Sequence, residues 1–91
     1  MSANKEYEAT KRLAQALNER DHGEHSKAIE SLKYVIFICE GSDSGTCHYL
    51  LRMAYITLYG IHRALGQSEE AMQCHRKATK LGVTKEDLEK A

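Results

Sequence analysis

Residues 47–82 read CHYLLRMAYITLYGIHRALGQSEEAMQCHRKATKLG, and this stretch decides the fold. Leu50, Leu51, Ala54, Leu58, Ile61 and Leu65 recur at three- and four-residue intervals, which puts them on one side of a helix. Thr46 is the expected cap of this helix, which spans about residues 47–65. Met53, Tyr55, Ile56 and Tyr59 take other directions, so the helix is apolar nearly all round. Such a helix is central to a core or carries a binding surface. Gly66-Gln67 marks a tight turn, and Ser68 is placed to cap the next helix. Glu69 and Glu70 then suit the positive end of that helix, and Arg76, Lys77 and Lys80 its negative end. Ala71, Met72, Cys74, His75, Ala78 and Leu81 are its expected inner face, and Gly82 closes it.

Upstream, Gly41-Ser42-Asp43-Ser44-Gly45-Thr46 is a polar linker. Before it, a helix is predicted over about 24–40, with Ala28, Leu32, Val35, Ile36 and Cys39 on one stripe. Ile29, Phe37 and Ile38 widen that apolar surface. The run Tyr34 to Cys39, YVIFIC, has strand-like composition. Its upstream period is helical, however, and no partner strand is visible. A first helix is predicted from a cap at Asn4 to about Asp21, with Tyr7, Leu13, Ala14 and Leu17 as its apolar positions and Ala9 on the open surface. Asp21-His22-Gly23 is its stop. Downstream, Thr84-Lys85-Glu86-Asp87 resembles a capping box that starts a short helix with Leu88 as its large apolar residue.

The expected fold is therefore all-α. Two antiparallel helix-turn-helix units form one domain: unit one at about 4–40, a linker at 41–46, unit two at about 47–82, and a short capping helix at 84–91. Proline is absent from the 91 residues, as continuous helices require. Lys plus Arg number 13 and Asp plus Glu number 13, so no electrostatic footprint for nucleic acid or an acidic membrane is expected. The polar start of the chain is unlike a secretory signal, and the apolar run from Tyr49 to Leu65 is broken by Arg52, His62 and Arg63, unlike a membrane span. An odd cysteine count without CxxC fits reduced thiols in a cytoplasmic or nuclear compartment.

The second helix pair resembles a tetratricopeptide (TPR) unit. Tyr55 supplies the aromatic that begins the motif, Leu58 follows three residues on, Gly66 sits at the turn, and Ala71 and Ala78 take the two small-residue positions. His75 stands where the family has a large aromatic or Leu, His62 where Tyr is usual, and Val83 where proline is frequent. In the first pair, Gly23, Ala28, Leu32 and Val35 reproduce the second-helix half. The register of the first helix stays open. Counted strictly from Gly23, Arg12, Gln15 and Glu19 fall on packing positions; a one-residue change in the turn puts Leu13, Ala16 and Leu17 there. Ala28 and Ala71 are 43 residues apart, against about 34 in the family, and a longer helix plus the linker absorb the difference.

The resemblance implies a protein-binding scaffold or adaptor. In co-chaperone members a Lys-plus-Asn clamp on the first helices holds a carboxylate. The corresponding positions here are Met53, Ile56 and Gly60, with Ala14 or Leu13 and Asn18 or Leu17 on the first helix. An apolar groove suits an amphipathic helix or extended apolar peptide of another protein instead. The expected partner-binding residues are Met53, Ile56 and Gly60, with Tyr49 and Arg63 at the rim. A second copy of this chain, pairing the apolar faces of helices two and three, is the alternative. Gly60 inside an apolar helix marks either close approach of a ligand or helix, or tight packing within the module.

No enzymatic chemistry, cofactor or metal is expected. His22-Gly-Glu-His25, Cys47-His48 and Cys74-His75 match none of the usual zinc spacings. Adjacent residues on a helix diverge by about 100°, so His48 is badly placed to act as base for Cys47. A redox or metal-sensing role of Cys47 and Cys74 is the remaining alternative.

Overall fold

The computed structural model describes residues 3–91. Among them there are five helices and no strand: α1 (Ala3–Asp21), α2 (His25–Cys39), α3 (Gly45–Ala64), α4 (Ser68–Lys80) and α5 (Lys85–Glu89). The chain is all-α, as the periodicity requires. Helix α1 packs on α2 and α3 packs on α4. Helix α2 also packs on α3, which further touches α1 and α5.

Both hairpin turns are built alike. Gly23 and Gly66 hold φ of 75° and 73°, a backbone conformation that a side chain disfavours. The N–H of the following residue, Glu24 or Gln67, donates to the carbonyl of Glu19 or His62 at 2.8 Å. The glycine N–H donates to Arg20 or Arg63 at 3.0 Å. The last turn of the first helix is thus closed while the chain reverses. The tail is also built as its sequence requires: Thr84 accepts a hydrogen bond from the Asp87 N–H, and Leu88 is buried.

Three expected caps are corrected. Helix α1 already includes Asn4, which therefore lies inside its first turn. Helix α3 is capped by Ser44, whose hydroxyl accepts from the Cys47 N–H at 3.3 Å, and Thr46 is within the helix. Ser68 is the first residue of α4, and the capping position falls to Gln67, which makes no side-chain hydrogen bond there.

The core is centred on Leu32, Val35, Ile61, Cys39 and Cys47, each almost wholly buried. The inner face of α1 differs from expectation. Ala9, Leu13, Ala16 and Glu19 are buried, Leu17 half so, while Tyr7 and Ala14 face solvent. Tyr7 and Leu13 are six residues apart, about 120° around the helix, so they cannot share a face. Small Ala9 and Ala16 occupy the tight side instead. On α4, Met72 is exposed, as is Leu65 just past α3. Phe37, on the outer side of α2, is 80% exposed.

Candidate functional site

Seven-residue steps along α3 carry Tyr49, Ile56 and Arg63; three- and four-residue steps carry Met53, Ile56 and Gly60. Four of the five expected partner-binding residues line one open groove of about 850 Å³: Tyr49, Met53, Ile56 and Gly60. The end of α1 (Arg20, Asp21), the start of α2 (His25) and the C-terminal segment (Val83, Asp87, Lys90, Ala91) complete its walls. Arg63 is not part of it. Its guanidinium lies 5.5 Å from the Tyr59 ring, and Tyr59 meets His75 edge-on at 5.7 Å.

Tyr49 is the exposed one of these four expected residues. Met53 and Ile56 are half-buried and lean on the core, so each also contributes to stability. Gly60 is approached from within the chain: a Cβ there would sit 3.1 Å from the Ala91 carbonyl carbon and 3.3 Å from its Cβ. The small residue therefore serves close packing of the C-terminal segment on α3.

The groove rim is charged. Arg20 and Asp21 pair at 3.1 Å, both well exposed, an arrangement worth little in water. Arg52 and Lys90 have no ion-pair partner among the described residues. Neither was expected at the groove from the sequence, although Arg52 lies one helical turn from Tyr49.

The titratable side chains are dispersed. The Nδ1 of His22 donates to the Asn18 carbonyl at 2.8 Å, finishing α1, and that of His62 pairs with Gln67 Oε1 at 2.7 Å. Among the described residues no three of His, Cys, Asp and Glu converge as metal ligands would. Cys39, Cys47 and Cys74 are buried thiols. Burial, and then the neighbouring Cys47, push the Cys39 thiol up to about 12. Burial also raises Cys74. Both stay protonated at neutral pH and are poor nucleophiles at rest.

A buried polar contact joins α1 to α2. The Ser31 hydroxyl donates to Glu19 at 2.8 Å and Gln15 donates at 3.1 Å. The hydrogen bond from Gln15 holds the Glu19 carboxyl below its ordinary range against the opposing effect of burial; Ser31 and the charges of Lys27 and Arg12 add to it. Nearby, Tyr34 donates to Glu8 at 3.1 Å and carries Arg12 over its ring at 4.6 Å.

No helix among the described residues is long and apolar enough to cross a membrane. No protein-family profile, curated protein or solved structure matches the chain.

Proposed function

We propose that this chain is a TPR-like protein–protein interaction module whose α3 groove takes a peptide or helix of another protein. The observation that carries this reading is the groove itself. Exposed Tyr49 and half-buried Met53 and Ile56 form one apolar stripe, rimmed by Arg52 and Lys90. Met adapts its shape to different partners, and an aromatic with a polar tip is a common interface anchor. The paired turns at Gly23 and Gly66, and the buried small residues Ala28, Ala71 and Ala78, support the helical-repeat reading. On this reading the chain scaffolds or adapts and performs no catalysis.

The test compares captured proteins between variants. Tyr49→Asp and Met53→Lys are expected to lose partners that the native chain retains, with helical circular dichroism intact. Phe37→Asp is expected to keep them. Unchanged capture by folded Tyr49→Asp and Met53→Lys proteins would place the binding surface elsewhere. A second reading, self-association, rests on Phe37, a large apolar side chain standing in water on α2. It requires a dimer mass in solution that Phe37→Asp abolishes.

A further inference from the structure

We propose that a cleft between the α2–α3 linker and the end of α4 binds a small zwitterion with an apolar side group, of the amino-acid or dipeptide class. The cleft holds about 350 Å³, a size that suits small-molecule sites, and it shares no lining residue with the α3 groove. Leu51 and Tyr55 of α3, with Leu81 just past α4, give it an apolar floor. Tyr55 carries the proposal. It is 9% exposed, and its hydroxyl makes no hydrogen bond among the described residues. A phenol this deep ordinarily has a partner. The hydroxyl is not sealed in the core either, since Arg12 Nε is the fully enclosed side-chain polar atom left unbonded among the described residues. It therefore opens into the cleft that Tyr55 lines. Burial, and then the charge of Glu40, raise the phenol above its ordinary value, so the group stays protonated and can donate.

The charges around this floor select the ligand. Glu40 and Asp43 line the cleft from the linker, and Lys77 and Lys80, one helical turn apart, line it from α4. All four are exposed, and none forms an ion pair with another or with any other described residue. Carboxylates and ammonium groups thus border one cavity without neutralising each other at contact distance. A simple anion would gain from the two lysines but face two carboxylates. A simple cation would meet the reverse. A zwitterion satisfies both sides: its ammonium donates to Glu40 and Asp43, and its carboxylate accepts from Lys77 and Lys80. Its apolar group then covers Leu51, Leu81 and the Tyr55 ring, and the Tyr55 hydroxyl hydrogen-bonds its polar end. An amino acid and a dipeptide offer this same chemistry with different distances between the two charges.

The isotope-labelled chain is titrated with L-leucine and, separately, with L-leucyl-L-leucine while its amide resonances are followed. With one or both probes, shifts confined to residues 40–55 and 77–81 are expected to saturate below a concentration on the order of 10 mM. The probe that saturates at the lower concentration identifies the charge separation the cleft fits. N-acetyl-leucine, which lacks the cation, leucinamide, which lacks the anion, and glycine, which lacks the apolar group, are each expected to bind about tenfold more weakly than leucine. Lys80→Gln and Glu40→Gln are expected to lose about tenfold and Tyr55→Phe about fivefold in affinity, with helical circular dichroism intact. Lys33→Gln, an exposed charge away from the cleft, is expected to bind as the native chain does. No saturation with either probe, equal binding of the acetylated or amidated leucine, or undiminished binding by folded Tyr55→Phe, Lys80→Gln and Glu40→Gln proteins would each overturn the proposal.

Discussion

Glu19 is a carboxylate packed between two helices because Ser31 and Gln15 supply its hydrogen bonds. Its folded pKa lies below its unfolded one, so it stabilises the fold at neutral pH, and that contribution disappears as pH falls through the folded value. The urea midpoint is therefore expected to drop below the ordinary carboxylate range, about pH 4. Glu19→Gln, which keeps a hydrogen-bonding group there, is expected to flatten that drop. An identical acid profile for the two proteins would show that Glu19 is not the group responsible. The sequence contained a hint of this contact: Ser31 interrupts the stripe of Ala28, Leu32 and Val35, and a hydroxyl on an inner face needs a partner. Ala9 was expected on the open surface, yet steps of four and seven residues to Leu13 and Ala16 put it on their face, and it is 0% exposed, against 4% for Ala71. Ala9→Leu is accordingly expected to destabilise at least as much as Ala71→Leu, each by about 1–3 kcal/mol from overpacking. A midpoint for Ala9→Leu equal to that of the native chain would return Ala9 to an open face.

Helices α2 to α5 were readable in the sequence because apolar spacing and turn glycines agree there. The starts of α1, α3 and α4 were less so, since Asn4, Thr46 and Ser68 are all residues that favour capping. Between Ser44 and Thr46 the choice depends on which side chain meets an orphan N–H, and the Ser44 hydroxyl meets that of Cys47. Ser44→Ala is expected to cost about 0.5–2 kcal/mol, with Thr46→Ala far smaller. The reverse order in chemical denaturation would move the cap back to Thr46. Helix α5 has five residues and holds to α3 through Leu88, which is 2% exposed. Leu88→Ala is expected to cost about 2–5 kcal/mol and to increase amide exchange in residues 84–91 ahead of the rest of the chain. Uniform exchange throughout would show that α5 does not depend on that one anchor.

The molecule measures 37 × 27 × 18 Å, roughly two helix layers in its thin direction given interaxial distances of about 8–10 Å. A slab of this kind covers its central helix incompletely. Helix α3 meets α1, α2, α4 and α5, yet Tyr49, Met53 and Ile56 still open onto the groove. Most of that stripe was legible in the sequence, since it contains the apolar residues of α3 left over after the core is packed. The misplaced member, Arg63, keeps the same seven-residue step from Ile56 that Ile56 keeps from Tyr49, yet its long side chain lies over the Tyr59 ring, one turn back, and not in the groove. The enclosure of Gly60 by Ala91 was not legible, because it depends on where a short C-terminal helix comes to rest. The most direct test of the groove as a partner surface is photo-crosslinking from benzoylphenylalanine placed at Tyr49 and, separately, at Phe37. The expected result is an adduct with a second, different polypeptide from position 49 and none from position 37. Adducts from position 37 alone, or crosslinks only between copies of this chain, would contradict it.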